Sequence, residues 1–371
     1  MDISNIIYQT NEPLILANYL KWDIINWNLQ KWHDVLGNED LEFRYGWNAK
    51  TKNPQWEKST PSIKGNFKEL LNFSKTDRWL YFDYKYLNEW LLEAKELREQ
   101  INFGDLGLKN VTANDSTIWI GTKGAHTPCH IDTYGCNVVV QIYGQKLWLL
   151  FKPDEDLKAT RVPYEESTIY SRLNFFSPSN MTDFKDIQSG KLIILNPGDV
   201  LIIPNKWWHY VEALDTSISI NTWLPLKKDH GERQRECLLQ LLIGSFLSNA
   251  DRSMQTSVLN PNSYDILNQT LSERLEFFEE ILKVRGTRNE VNDNDNEQVS
   301  CSSPKMPHFI RKIGNLTPEN LKQFLNDQSR RFPEELNLKE EPEDNSTLKK
   351  ITHAFTHPDV IDLILNKILE K

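Results

Sequence analysis

Short apolar runs separated by turn residues dominate the middle of the chain. They are rich in Val, Ile and Leu, and they occupy residues 138–142, 147–151, 192–195, 200–203 and 217–223. Gly144 separates the first two runs and Pro197-Gly198 separates the next two, so each pair predicts a β-hairpin. Short strands with turns at this spacing predict an antiparallel β-sandwich or jelly roll.

The N-terminal region predicts a mixture of helices and strands. Three tryptophans at five-residue spacing, with aliphatic residues between them, predict a buried helix flanked by strands over 13–36. Residues 41–46 alternate between apolar and polar and predict a half-buried strand, whereas 67–73 and 87–99 have helical spacing. We expect this region to support the β core rather than to act alone.

The pattern changes to helical periodicity after Trp223. Amphipathic helices are predicted over 229–248 and 267–284, where they would cover the open side of the β core or form a dimer surface. A polar segment, 285–306, predicts a disordered linker. Further helices are predicted at 318–326 and 358–369. The apolar face of the last helix must be buried, and both its own chain and a partner protein are candidates.

Composition and charge limit the classes of function. The chain has 371 residues and a formal net charge of −9, which argues against general attraction to nucleic acid. Its four cysteines are scattered without C-x-x-C spacing, so neither a zinc module nor a disulfide framework is predicted. The acidic N-terminus does not look like a secretory signal, and no apolar run is long enough to span a membrane. We therefore expect a cytoplasmic protein, with the nucleus as a second location.

The candidate chemistry lies at the start of the β core. Alternate residues of a strand share a face, so His130 and Asp132 can point to one side while Ile131 packs on the other. His209 follows two tryptophans much later in the chain and supplies a third ligand. Two imidazoles and one carboxylate form the facial set of non-haem Fe(II) oxygenases, so His130, Asp132 and His209 are predicted to bind metal and to be catalytic.

Several segments around these residues carry a family resemblance. They are Ile118-Trp119-Ile120-Gly121, Gly124-Ala125-His126-Thr127-Pro128-Cys129-His130, Asp132-Thr133-Tyr134-Gly135-Cys136-Asn137, Tyr164-Glu165-Glu166-Ser167 and, more weakly, residues 79–86. With them, the chain resembles the JmjC branch of 2-oxoglutarate- and Fe(II)-dependent oxygenases, within the asparaginyl-hydroxylase-like group. The similarity is greatest to members that associate with small heat-shock proteins. The resemblance implies a mainly β fold, a double-stranded β-helix or cupin-like jelly roll, with helical N-terminal support and C-terminal helices.

The resemblance also implies a cosubstrate site. Lys146 matches the lysine that binds the distal carboxylate of 2-oxoglutarate in the family, and Thr127 matches a hydroxyl that bonds the same carboxylate. Asn137 and Asn221 match polar residues beside the cosubstrate, and Tyr81 is a further candidate. The spacing from His130 to Asn137 and Lys146 is one residue longer than in the asparaginyl hydroxylase, which predicts a bulge or an altered turn. The implied cofactors are Fe(II) and 2-oxoglutarate.

Two classes of function follow. The complete ligand set and the matched lysine favour an oxygenase that hydroxylates a protein side chain, with demethylation of N-methyl-lysine or hydroxylation of tRNA as variants. The alternative is a catalytically weak or inactive module that associates with a small heat-shock protein. The expected partner is a protein; no membrane is expected to be involved, and the net charge disfavours nucleic acid. The resemblance implies a homodimer through the C-terminal helices.

These predictions divide the chain into consecutive regions. The predicted order is an N-terminal α/β support region (1–110), the JmjC β-helix core (111–226), a C-terminal helical region (227–284), a disordered linker (285–306) and a helical tail (307–371).

Overall fold

The computed structural model describes residues 3–37, 39–57, 60–73, 75–160, 168–259, 268–284, 308–333, 335–336 and 347–370. These residues include sixteen strands and ten α-helices. The strands are β1 (Leu14–Leu16), β2 (Leu41–Trp47), β3 (Lys50–Thr51), β4 (Ser62–Gly65), β5 (Arg78–Tyr86), β6 (Thr117–Gly121), β7 (His126–Asp132), β8 (Cys136–Tyr143), β9 (Lys146–Phe151), β10 (Thr168–Tyr170), β11 (Lys191–Leu195), β12 (Val200–Ile203), β13 (Trp208–Ala213), β14 (Ser217–Leu224), β15 (Ile310–Lys312) and β16 (Glu335–Leu336). The helices are α1 (Ile3–Gln9), α2 (Leu29–Leu36), α3 (Phe67–Leu71), α4 (Lys95–Glu99), α5 (Asp229–Leu247), α6 (Arg252–Val258), α7 (Leu271–Lys283), α8 (Pro318–Arg330), α9 (Thr347–Phe355) and α10 (Pro358–Leu369).

The strands form two large sheets with antiparallel pairing. Nine strands are ordered β15-β1-β12-β8-β14-β6-β5-β2-β4, and five are ordered β10-β7-β13-β9-β11. Side chains of both sheets meet in one buried cluster, in which Val139 and Leu201 come from the larger sheet and Trp148 and Val211 from the smaller one. The predicted jelly roll, mainly β with flanking helices, is therefore confirmed.

The N-terminal region is continuous with the larger sheet. Strand β5 pairs with β6, and β1 pairs with β12. The predicted strand at 41–46 is present as β2, and helix α3 lies within predicted residues 67–73. The predicted helix over 87–99 is wrong for most of its length, because only Lys95–Glu99 is helical and Leu91 has a φ of 54°. A left-handed residue interrupts the helix that the hydrophobic spacing favoured.

The C-terminal helices and the tail pack on the same chain. Helix α5 contacts α7 and α10, and these three share a buried cluster that includes Ile243, Phe278 and Leu365. Helices α8 and α10 confirm the predictions at 318–326 and 358–369. Leu321 of α8 joins the core cluster of the smaller sheet, and β15 extends the larger one beside β1. The predicted linker, 285–306, lies outside the described residues.

Two further predictions concern membranes and cysteines. No helix of the described residues combines the length and the apolar character that crossing a lipid bilayer requires. Cys129, Cys136 and Cys237 are free and buried. The fourth cysteine, Cys301, lies outside the described residues.

Candidate metal and cosubstrate site

The three predicted metal ligands meet where β7 and β13 pair. His209 lies directly opposite His130 in the ladder, and the two imidazole centroids are 4.0 Å apart. Asp132 extends the set from the end of β7: its Oδ1 is 3.7 Å from His130 Nε2 and its Oδ2 is 3.8 Å from His209 Nε2. All three ligand atoms lie within 4.8 Å of one another. This spacing suits one ion bound by two nitrogens and a carboxylate oxygen.

Backbone carbonyls orient both imidazoles. His130 Nδ1 lies 2.8 Å from the carbonyl oxygen of Pro128, and His209 Nδ1 lies 2.9 Å from that of Trp207. A proton on Nδ1 leaves the Nε2 lone pair free for a metal. Burial, followed by the neighbouring His209, holds the pKa of His130 well below its usual value. The His130 imidazole is therefore neutral, which is the form that coordinates metal.

A chain of side-chain hydrogen bonds fixes the carboxylate. Asp132 Oδ2 accepts from Trp223 Nε1 at 2.9 Å and from Asn137 Nδ2 at 3.2 Å. Asn137 Oδ1 in turn accepts from Asn221 Nδ2 at 2.8 Å, and Asn221 Oδ1 accepts from Trp119 Nε1 at 2.7 Å. Both predicted asparagines thus orient the metal ligand. Outer contacts of this kind set the direction of a ligand and its basicity.

Lys146 lies deeper in the same barrel. It is 1% exposed, and its ammonium donates to Ser219 Oγ at 2.8 Å and to the Tyr81 hydroxyl at 3.3 Å. Burial lowers the pKa of Lys146 to about 7. The negative charge of Asp83 acts in the opposite direction and raises the pKa of Lys146. The Asp83 carboxylate is, however, already paired with Arg44 Nε at 2.7 Å. The described residues therefore provide a buried cation without a carboxylate of its own.

Two irregular strands bring additional residues to the site. His130 on β7 pairs with His209 on β13, and Thr127 pairs with Val211. A step of three residues along β7 therefore matches a step of two residues along β13. The bulge places Thr127 on the same side as His130, although their separation would put them on opposite faces of a regular strand. On β5, the register shifts between Phe82 and Lys85, and Tyr84 has a φ of 52°.

One cavity, which we call the inner cavity, is lined by nearly all of the predicted site residues. Seven of the eight predicted residues line it, namely Tyr81, Thr127, His130, Asn137, Lys146, His209 and Asn221. The eighth, Asp132, does not line this cavity but lines a neighbouring one. The sequence reasoning missed other lining residues, among them Tyr84, Trp119, Trp148, Ser219 and Trp223. Ser219 and Trp223 could have been found, because they alternate with Asn221 on β14 and share its face.

Other motif residues have structural roles. His126 stacks on Phe176 with ring centroids 3.8 Å apart, and burial holds the pKa of His126 well below its usual value. His126 therefore packs in the core beside Phe176. Trp207 and Trp208 are both buried, and the Trp207 indole donates to the carbonyl oxygen of Asn11 at 3.0 Å. The acidic insert 164–167 lies outside the described residues.

Comparison with known proteins identifies the family. A family model described as "Cupin-like domain" matches residues 2–229. The chain belongs to this family, and its JmjC character is shown by its relatives. The cupin-like JmjC family comprises 2-oxoglutarate- and iron-dependent oxygenases, and the described residues of this member include a His-Asp-His cluster with spacing suited to a metal ion.

The relatives of this JmjC protein carry two kinds of name. HSPB1-associated protein 1 of Homo sapiens is 34% identical over 281 residues, which are 70% of this chain and 57% of the relative. The HSPB1-associated protein 1 homolog of Danio rerio is 30% identical over 321 residues, covering 81% of this chain and 70% of the relative. Lysine-specific demethylase 8 of Xenopus tropicalis is 26% identical over 220 residues, or 57% of this chain and 48% of the relative.

The share of each relative that this chain matches limits which properties of the relatives apply to it. The mammalian HSPB1-associated relatives are matched over 57–58% of their own length, so this JmjC chain spans little more than half of them. A solved structure titled "X-Ray structure of E. coli ycfD" aligns over 76% of this chain and 66% of its own, at 14% identity and a TM-score of 0.33. At that score the alignment adds no argument.

Proposed function

We propose that this JmjC protein is an Fe(II)- and 2-oxoglutarate-dependent oxygenase that hydroxylates a protein side chain. The observation that carries the proposal is one cavity that holds the two imidazoles of a facial metal set and, deeper inside, the buried Lys146 ammonium. A carboxylate supplied by a small dianion would neutralise this cation. Without a ligand, burying these groups is energetically unfavourable, so a protein that only binds partners gains nothing from them.

The donor set fits Fe(II). His130, Asp132 and His209 present two imidazole nitrogens and one carboxylate oxygen, which leaves the remaining coordination positions for cosubstrate and dioxygen. Bound Fe(II), with 2-oxoglutarate chelated to it, supplies an oxidant strong enough to hydroxylate an unactivated C–H bond. The ion itself is a cofactor that these residues would hold.

The remaining residues bind and orient the cosubstrate. We assign Lys146 to the distal carboxylate of 2-oxoglutarate, with Thr127 and the Tyr81 hydroxyl beside it in the same cavity. Thr127 hydrogen-bonds to Tyr81, while burial raises the pKa of the Tyr81 phenol and keeps it protonated as a donor. Asn137 and Asn221 hold the Asp132 carboxylate in place for the metal.

A spectroscopic titration tests the proposal without a known substrate. Fe(II) and then 2-oxoglutarate are added anaerobically to the purified protein, and the visible charge-transfer band of a chelated keto acid is recorded. We expect a band in the wild type, none in Asp132→Ala, and a band in Lys146→Ala only at roughly 100-fold higher 2-oxoglutarate, which is the loss expected when a buried charge pair is broken. A folded, metal-loaded wild type without a band would refute the proposal.

A second candidate function rests on the names of the relatives. Five relatives are named HSPB1-associated protein 1 or its homolog. We therefore propose association with a small heat-shock protein as a partner interaction. It can coexist with catalysis, or it can stand alone if the metal site is inactive. The spectroscopic titration separates these cases, because a pure binding module has no reason to chelate a keto acid.

A further inference from the structure

A second cavity, the outer cavity, adjoins the metal site from the other side. It has a volume of about 220 Å³, and its walls include Tyr84, Tyr86, Tyr134, Trp223 and the metal ligand Asp132. Tyr84 and Trp223 line both cavities, whereas His130 and His209 line only the inner one. The metal ligands therefore lie between the two cavities. The inner cavity is suited to the cosubstrate, and the outer cavity is suited to the substrate that is oxidised.

The two acidic residues that line the outer cavity, Asp132 and Asp229, already have partners. Asp132 is a metal ligand. Asp229, at the start of α5, is 6% exposed, and its two carboxylate oxygens accept from the backbone N–H groups of Gly135 at 3.0 Å and Leu226 at 2.7 Å. The described residues offer no further acid in this cavity. A cationic target, such as a methylated lysine, would have to compete with these existing partners for each carboxylate.

The cation in the outer cavity is, in contrast, free to bind. Arg233 on α5 is exposed, and its guanidinium lies over the Tyr134 ring, 4.9 Å from the centroid. It has no carboxylate within ion-pair distance among the described residues. Its neighbour Arg235 differs, since it pairs with Glu232 and Asp362. A guanidinium that lies over an aromatic ring still has N–H groups available to bind a carboxylate.

We propose that the outer cavity binds a peptide segment that carries an acidic side chain, with Arg233 pairing to that side chain and the aromatic walls holding a neutral neighbour beside the metal. This inference rests on the proposed oxygenase function and specifies its substrate class. It makes Arg233 a specificity-determining residue and makes a neutral side chain, rather than N-methyl-lysine, the expected target.

A peptide suits this surface better than RNA. Nucleic-acid binding depends on several phosphate contacts. The outer cavity instead provides a single arginine on a chain with a formal net charge of −9. One cation over an aromatic ring matches one carboxylate among apolar neighbours.

A peptide selection tests the inference directly. The full chain, loaded anaerobically with Fe(II) and 2-oxoglutarate, is incubated with a positional-scanning library of short peptides, and retained peptides are sequenced by mass spectrometry. The variants are Arg233→Glu and Arg233→Lys. Arg311→Glu is the matched control, because Arg311 is exposed on β15, lines neither cavity, and changes the net charge equally. The charge-transfer band confirms folding and loading of each protein.

We expect Asp and Glu to be enriched at one position in the wild type and in Arg311→Glu. Arg233→Lys should keep a weaker preference, and Arg233→Glu should lose it by roughly five- to tenfold, as for other partly exposed charge pairs. Enrichment of lysine, the absence of any acidic enrichment, an unchanged preference in Arg233→Glu, or retention of added tRNA that depends on Arg233 would each overturn the inference. Acidic selection without a band would instead refute only the oxygenase proposal.

Discussion

The two faces of strand β13 bury polar groups for different purposes. The outward face carries Tyr210 and Glu212, which pack under helix α8. Glu212 is 3% exposed and fully compensated: it accepts from Arg331 at 2.5 Å, from the Tyr210 hydroxyl at 2.7 Å and from Gln328 at 3.3 Å. Glu212 and Arg331 thus form an ion pair within the chain, although Arg331 Nε and Nη2 are buried without a hydrogen-bond partner among the described residues. This ion pair connects β13 to the end of helix α8.

The inward face carries His209 and leads to groups that lack such compensation. His209 and His130 direct both Nε2 atoms at the same space, and the nearby Lys146 ammonium has hydroxyls but no carboxylate beside it. Burial disfavours each of these groups, and the described residues do not offset the free-energy cost of burying them. Buried titratable groups that lack a counter-charge and converge on one cavity therefore indicate a ligand site, whereas a buried ion pair such as Glu212–Arg331 indicates a structural contact.

Breaking the outward network should give the largest loss of stability. Glu212→Ala leaves the Arg331 guanidinium unpaired, so we expect the free energy of unfolding in urea to fall by about 3–5 kcal/mol. In Glu212→Gln with Arg331→Met, most of this loss should be recovered, because no charge is left without a partner. The matched variant on the inward face is His209→Gln. It should lose far less in metal-free protein, and equal losses in the two single variants would contradict the distinction between the faces.

The Lys146 ammonium should make cosubstrate binding depend on pH. Its pKa is about 7 in the free protein because burial disfavours the charge. A carboxylate binds the protonated form, so above pH 7 binding must take up a proton, and the apparent affinity for 2-oxoglutarate should fall about tenfold per pH unit. Below pH 7 the lysine is already charged, and its contribution should level off.

Titrations of the charge-transfer band between about pH 6 and 9 measure this dependence. Lys146→Arg is the control, because a guanidinium keeps its charge throughout this range and should flatten the curve. The same affinity at both ends of the range in the wild type would show that Lys146 does not meet the carboxylate. The contrast with the outward face is direct, since Arg331 already has Glu212 and needs no ligand to hold its charge.

Strand alternation explains what the sequence could predict of the site. His130 and Asp132 share a face because they are two residues apart, and the imidazole and carboxylate types themselves specify a metal. Alternation fails at Thr127 and Tyr84, where bulges bring residues at odd separations to one side. Thr127 was identified only by family resemblance, and Tyr84 was not identified at all. The one-residue longer spacing from His130 to Asn137 stays a prediction of a bulge or an altered turn, because the register shift of β8 lies beyond Asn137, opposite Ile218 and Ser219.

Long-range pairing explains what the sequence could not predict. Glu212 and Arg331 are 119 residues apart, and neither stands in a pattern that marks it as buried or paired. The helix predicted over 87–99 illustrates a related limit: its apolar spacing was correct for burial, but backbone geometry at Leu91 prevented a helix. Periodicity thus identifies which residues are buried more reliably than it identifies their backbone conformation.

One hydroxyl on each side of β13 gives the most sensitive test of the comparison: that of Tyr84 on β5, which lines the inner cavity, and that of Tyr210 on the outward face. The Tyr84 hydroxyl oxygen, in the inner cavity, is buried without a hydrogen bond of normal geometry, and burial raises the pKa of this phenol well above its usual value. Removing it in Tyr84→Phe should raise the free energy of unfolding by about 1 kcal/mol, because an unsatisfied polar group is lost.

The same deletion on the outward face, Tyr210→Phe, should have the opposite sign. It removes the donor to Glu212 at 2.7 Å, and a hydrogen bond to a charged group is worth about 1.5–3 kcal/mol. Urea unfolding of the two variants in parallel measures both effects. A loss of stability in Tyr84→Phe comparable to that in Tyr210→Phe would mean that the inner hydroxyl is also structurally bonded, and that the inward face is less open to a ligand than its geometry indicates.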